Sequence, residues 1–116
     1  GHALEMARGS GARLRLDWSA VPVLPQVRDL AARGMITGAS GRNWDSYGAD
    51  VTLPEGFAAN ERALLTDPQT SGGLLVACAA DTVDEVLAIF ARHGFAEASV
   101  IGRVEDGLGA PGLTVG

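Results

Sequence analysis

The sequence has no lysine, one cysteine, one tyrosine and no apolar run longer than Leu74 to Ala80. Without lysine there is no Schiff-base chemistry, no lysine general base and no phosphate-gripping P-loop lysine within this chain. A single cysteine excludes an internal disulfide and a cysteine-based zinc site. Cys78 sits inside the apolar run and reads as a small buried residue rather than as a nucleophile, which needs an accessible, electropositive setting. The apolar run is far too short to cross a bilayer as a helix. No basic, then apolar, then small-residue leader opens the chain, so no secretion signal is expected. A reducing, cytoplasmic setting fits this cysteine usage.

What the chain does contain is a globular composition. Of its 116 residues, 47% are hydrophobic and 20% charged. That suits one domain burying roughly two-thirds of its unfolded surface. The net charge is −5, and all nine basic residues are arginines. Scattered arginines on an acidic chain argue against a nucleic-acid partner, which would call for a basic patch. The sixteen glycines are about twice the usual ~7% share and point to tight turns or close backbone approach.

Local patterns give an order of elements. Good helix formers run from Gly1 to Arg8 and stop at the Gly9-Ser10-Gly11 C-cap signal. No capping residue precedes them, which suggests a cut into a longer chain. Ala12 to Trp18 alternates, with Leu14, Leu16 and Trp18 on one side and Arg13, Arg15 and Asp17 on the other, as in a half-buried strand. Pro25 suits the first turn of a helix to about Arg33 with Val27, Leu30 and Ala31 inward, ending at Gly34. Met35 to Gly48 has no period and reads as a long loop. Val51 to Leu53 is a short extended piece, and Ala58 to Leu65 a short helix. Leu74 to Ala79 suits a central strand covered on both faces. Thr82 with Glu85 forms a capping-box pattern for a helix from Val83 to His93, with Val83, Val86, Leu87 and Phe90 in one stripe. Ser99 to Glu105 and Leu113 to Val115 read as strands joined by a turn over Asp106 to Gly112. The expected fold is a single α/β (α+β) domain, a mixed sheet covered by helices.

Two polar segments are candidates for chemistry. In Asp67-Pro-Gln-Thr-Ser-Gly-Gly73, the hydroxyls of Thr70 and Ser71 and the amides of Gly72 and Gly73 can form a nest for phosphate oxygens. The same residues also suit an ordinary turn, with Asp67 and Thr70 bonding nearby backbone and glycines at positive φ. In the loop from Thr37 to Gly48, Arg42 and Asn43 suit a phosphate or a polar small molecule. That loop equally suits a surface segment pinned by Trp44 and Tyr47. His2 and Glu5 share a helix face, but the other histidine, His93, sits in a distant helix's last turn, so no metal site is expected. Asp84-Glu85 and Glu105-Asp106 read as solvated positions.

Leu64-Leu-Thr-Asp-Pro-Gln-Thr-Ser-Gly-Gly-Leu-Leu-Val-Ala77 closely resembles the C-terminal signature of the selenophosphate synthetase (selenide, water dikinase) family. Gly41-Arg-Asn-Trp-Asp-Ser-Tyr-Gly48 is similar to a second motif of that family's C-terminal domain. Gly1-His-Ala-Leu-Glu-Met-Ala resembles the segment after its aspartate-threonine-glycine-phenylalanine-glycine motif. Leu24-Pro25 and Ile101-Gly102 fall in the same order. The resemblance implies that residues 1–116 are a C-terminal domain of the aminoimidazole ribonucleotide synthetase superfamily, truncated on its N-terminal side. It implies a parent that uses ATP and magnesium to make selenophosphate, AMP and phosphate from ATP, selenide and water, and that acts as a homodimer. The partner within the parent is an N-terminal ATP-binding domain carrying the catalytic cysteine or selenocysteine, the lysine and most of the magnesium-binding aspartates; the last of these aspartates falls just before Gly1. No catalytic residue and no metal ligand of the family matches a position here, so the fragment alone is expected to be inactive and to hold no cofactor tightly. Arg42, Asn43, Thr70, Ser71, Gly72 and Gly73 are then expected to face the phosphate or product cleft. The alternatives are a free-standing small-molecule-binding or dimerisation module, and another superfamily member such as a thiamine-phosphate kinase.

Overall fold

A computed structural model of the chain describes residues 1–105 and 110–116. The chain opens with α1 (His2–Ser10), whose end is set by Gly11 at φ 67. The Gly11 amide turns back toward the Ala7 and Arg8 carbonyls, which closes the helix in the left-handed conformation that glycine adopts freely. Next come β1 (Arg13–Leu16), α2 (Val27–Ala32), α3 (Gly38–Tyr47), β2 (Val51–Thr52) and α4 (Ala59–Leu65), and then α5 (Val83–Arg92), β3 (Gly102–Glu105) and β4 (Gly112–Val115).

The four strands form one mixed sheet in the order β2-β4-β1-β3. β4 lies parallel to both β1 and β2, and β3 runs antiparallel to β1. The pairing of β1 with β4 continues past the strand ends. The Gly116 amide donates to the Leu16 carbonyl at 2.9 Å, and the Trp18 amide donates to the Gly116 carbonyl at 2.8 Å.

The core is the seam between α1 and this sheet. Leu4 (1% exposed) meets Leu113 and Val115, and Leu14, Leu16, Trp18, Tyr47, Val51 and Phe57 pack around them. The indole Nε1 of Trp18 donates to Glu61 Oε2 at 2.5 Å, and Arg28 donates to the same oxygen. The Arg28 guanidinium also lies 4.8 Å from the Trp18 ring centroid. One carboxylate thereby ties β1's exit to α2 and α4.

The expected strand at Ala12 to Trp18 is present over a narrower span, with its leucines turned to the core. The helices expected at Gly1 to Arg8, Ala58 to Leu65 and Val83 to His93 form within a residue or two of those limits. The mixed sheet covered by helices is the architecture observed. The turn expected over Asp106 to Gly112 falls mostly on 106–109, outside the described residues.

Other expectations are corrected. Met35 to Gly48 is not a loop: most of it is α3, capped by Thr37 and held to α4 by polar bonds instead of an apolar stripe. Leu74 to Ala79 is not a central strand. No ladder forms along it, and its residues are exposed, Leu74 at 80%. The sheet's two inner strands, β4 and β1, already have neighbours on both edges, so no position between strands is left for it. Cys78, within this run, is correspondingly exposed, not buried. The Thr82 capping box does not form: the Thr82 hydroxyl donates back to the Ala79 carbonyl at 2.9 Å, beside the Thr82 amide, whose 3.0 Å bond to the same carbonyl closes a short 3₁₀ turn. α2 starts at Val27, after Gln26 at φ 67, so Pro25 lies in the preceding turn, and Leu30 is exposed where an inward position was expected. β3 begins at Gly102 and not at Ser99.

Two measurements test this packing. A Cβ added at Gly102 would run into the Arg15 carbonyl oxygen, a backbone atom that cannot swing aside. Gly102→Ala should therefore cost about 1–3 kcal/mol in urea unfolding, and an unchanged midpoint would refute the β1–β3 register. Burial pushes the Tyr47 phenol above its ordinary value of 10.0. The folded state thus holds that proton more tightly, a contribution complete below pH 10 and lost as pH rises through the folded pKa. With no lysine and no second tyrosine, Tyr47→Phe should flatten the fall in thermal midpoint above that pH.

Candidate functional site

The two motif segments come together at the junction of α3 and α4. Thr37 caps α3, its Oγ1 accepting from the Ser40 amide at 3.3 Å. The same hydroxyl donates to Asp67 Oδ1 at 3.0 Å. Its single proton being committed there, the 3.1 Å contact with the Ser40 hydroxyl has Ser40 as donor. The second Asp67 oxygen accepts from Gln69 Nε2 at 2.5 Å. Both carboxylate oxygens of the segment's first residue are thus engaged.

One residue earlier, Thr66 ends α4 and is 3% exposed. Its hydroxyl lies 2.9 Å from the Arg62 carbonyl and 3.1 Å from the Ser40 carbonyl. Its own carbonyl accepts from Asn43 Nδ2 at 2.8 Å. Beside these bonds the Arg62 guanidinium lies 5.0 Å from the Trp44 ring centroid. Ser40, 2% exposed, and Thr66 are the buried polar residues, and no buried side-chain polar atom among the described residues lacks a partner. A buried hydroxyl without a partner would cost about 1–3 kcal/mol, which is why these are paired.

The expected site residues divide here. Asn43 is committed to Thr66. Arg42 is exposed and curls back along α3, its Nη1 lying 3.7 Å from where a side chain on Gly38 would begin. Thr70, Ser71, Gly72 and Gly73 are all exposed beyond the pinned base, in a turn where the Gly72 amide donates to the Gln69 carbonyl at 3.2 Å. Among the described residues, no hydrogen bond joins Arg42 or Asn43 to Thr70–Gly73. The residues that organise the junction, Thr37, Ser40 and Thr66, were not singled out from the sequence. The signal was the Thr-x-x-Ser spacing at Thr37, a hydroxyl cap before ten residues without proline.

The exposed Thr70 and Ser71 hydroxyls, the Gly73 amide and the exposed Arg42 guanidinium suit an anionic oxygen ligand such as phosphate. Magnesium is a different matter. Among the described residues no group of three or more His, Cys, Asp or Glu side chains converges. The residues present do not by themselves make a magnesium site. His2 and Glu5 approach only to 3.9 Å on an exposed helix face. No helix among the described residues is long and apolar enough to cross a membrane.

The chain belongs to the family described as AIR synthase related protein, C-terminal domain, which it matches over residues 1–110. Within that class it is similar to proteins named selenide, water dikinase. The one from Pseudomonas straminea is 56% identical over 116 residues, covering 100% of this chain and 32% of that protein. The one from Paraburkholderia xenovorans (strain LB400) is 57% identical over 109 residues, 94% of this chain and 31% of that protein. The one from Dechloromonas aromatica (strain RCB) is 50% identical over 115 residues, 99% of this chain and 32% of that protein. The chain thus spans about a third of the length of these relatives.

The cap gives a direct test of the junction. Thr37→Ala removes a helix cap and a partner of Asp67 at once. It should cost about 1–2 kcal/mol in urea unfolding, while Thr37→Ser should keep most of that stability.

Proposed function

We propose that this chain is the C-terminal domain of an ATP-dependent selenide, water dikinase, a cytoplasmic phosphotransferase that makes selenophosphate, AMP and phosphate from ATP, selenide and water. The observation that carries the reading is the 56% identity to such a dikinase across the whole chain. The full-length protein would supply an N-terminal ATP-binding domain, the magnesium ligands and the nucleophile, and would act as a homodimer. That division of labour accords with a chain that has no lysine and no converging carboxylates among its described residues.

In this reading the Asp67–Gly73 segment faces the phosphate-bearing substrate or product. Thr70 and Ser71 offer hydroxyl donors, Gly73 offers its amide, Gly72 turns the backbone through its bond to the Gln69 carbonyl, and Arg42 offers a guanidinium. None of these groups takes part in covalent chemistry. They hold phosphoryl charge by position, which in phosphoryl transfer is most of the catalytic contribution a protein makes. The domain alone would neither turn over ATP nor retain it.

The test is turnover in the full-length protein, read as AMP release and selenophosphate formation. Replacing Thr70 and Ser71 together by alanine should lower kcat about 10- to 100-fold with an unchanged unfolding midpoint, since both side chains are exposed. Turnover at the wild-type level would return the segment to a structural turn. A full-length protein that forms no selenophosphate would refute the dikinase reading itself.

A further inference from the structure

We infer that Asn43 and Thr66 are positioning residues for the Asp67–Gly73 segment, acting as a polar latch between α3 and α4. The inference rests on the reading above, in which that segment meets the substrate. It changes the part assigned to Asn43, from touching the ligand to setting the loop that does.

The latch fixes two consecutive residues at the root of the segment. Thr66 is held through its carbonyl by Asn43 Nδ2 at 2.8 Å, and its hydroxyl proton is shared between the Arg62 carbonyl of α4 at 2.9 Å and the Ser40 carbonyl of α3 at 3.1 Å. Asp67 is held by the Thr37 hydroxyl at 3.0 Å. These α3 anchors are its cap Thr37, the Ser40 carbonyl in its first turn and Asn43 at its middle, so the segment leaves α4 in a set direction relative to one helix. Thr66 is 3% exposed, so its bonds compete little with water, and its hydroxyl meets carbonyls of α3 and α4 whose places the helices fix. Four and five residues beyond Thr66, Thr70 and Ser71 are exposed. A small rotation at Thr66 is carried outward to those hydroxyls, and a misplacement near 1 Å can cost about 100-fold in rate. One Asn43 Nδ2 hydrogen is spent on the Thr66 carbonyl, and it is through that bond that Asn43 acts on the segment.

The experiment uses the full-length protein and compares Asn43→Leu, Thr66→Val and Thr66→Ser, each alone and combined with the Thr70→Ala, Ser71→Ala pair. Activity is read as kcat and as KM for ATP, well below the unfolding midpoint. Asn43→Leu and Thr66→Val should each lower kcat/KM about 10-fold or more, and Thr66→Ser, which keeps the hydroxyl, should restore it. In the Thr70→Ala, Ser71→Ala background the latch substitutions should cost clearly less than they do alone, because two of the groups they position are gone. Full losses that multiply in that background would make Asn43 a direct contact and overturn the latch. Wild-type kinetics in Asn43→Leu, with the alanine pair impaired, would overturn the latch and leave the site reading standing. Wild-type kinetics in the alanine pair would overturn the site reading first, and the latch with it. Should Thr66→Val not fold, the half-buried Asn43→Leu carries the same comparison.

Discussion

Leu4 packed against Leu113 and Val115 is the contact on which the rest of the molecule depends. It joins the first helix of the chain to its last strand. β4 is also the strand with parallel neighbours on both sides, β1 and β2. Remove β4 and β2 has no partner, β1 loses one edge, and α1 keeps only its contacts with β1. Closing so long a loop costs only slowly more than closing a short one, because the entropy grows with the logarithm of length. The apolar area buried at the seam, worth roughly 25 cal/mol for each Å² removed from water, is what offsets it. The bonds from Gly116 to Leu16 and from Trp18 to Gly116 lengthen the seam by one pair beyond the strand ends.

The packing is unequal on the two sides of β1. The tightly buried apolar residues belong to α1, α2, α4 and β4. On the other side α5 has a clear apolar stripe yet buries no residue. Between that stripe, β3 and the run Leu74 to Cys78 lies an open apolar cleft of about 280 Å³. Val104 on β3 and Phe95 after α5 are exposed beside it. Local stability follows buried apolar contact, so the β3–α5 half belongs to the low-stability end of the molecule and the Leu4 seam to the high end. The α3–α4 junction lies beside the stable half, where a site that depends on position gains most.

How much of this was legible in the residues depends on what kind of signal each element carries. The Leu14, Leu16, Trp18 alternation and the Val83, Val86, Leu87, Phe90 stripe are periodic, and both elements appear where the period puts them. α3 carries no apolar period, so a reading based on hydrophobic spacing sees a loop. Its stability comes from the Thr37 cap and from bonds whose partner, Thr66, lies 26 residues from Ser40, and no local pattern encodes that distance. Leu74 to Ala79 fails in the opposite sense. Its apolar character signals burial, but burial in a sheet also needs a free edge between strands, and the sheet's order provides none. The candidate segments were visible as polar, glycine-bearing departures from period, while their bonding at Thr66 and Thr37 was not.

A polar junction does something there that an apolar one does not. Apolar contacts are non-directional, and side chains of similar volume can exchange with modest loss. An amide on a carbonyl, or a hydroxyl between two carbonyls, is satisfied over a narrow range of distance and angle. The net stabilisation of such bonds is small, about 1 kcal/mol each, so stability alone gives little reason to bury Ser40 and Thr66 where alanine and valine would also fit. What the bonds add is direction. They sit where an α-helix hands over to an exposed segment with no secondary structure of its own. A segment that gains no order from a ladder or from its own packing takes its order from its root, and the root here is bonded at two successive residues.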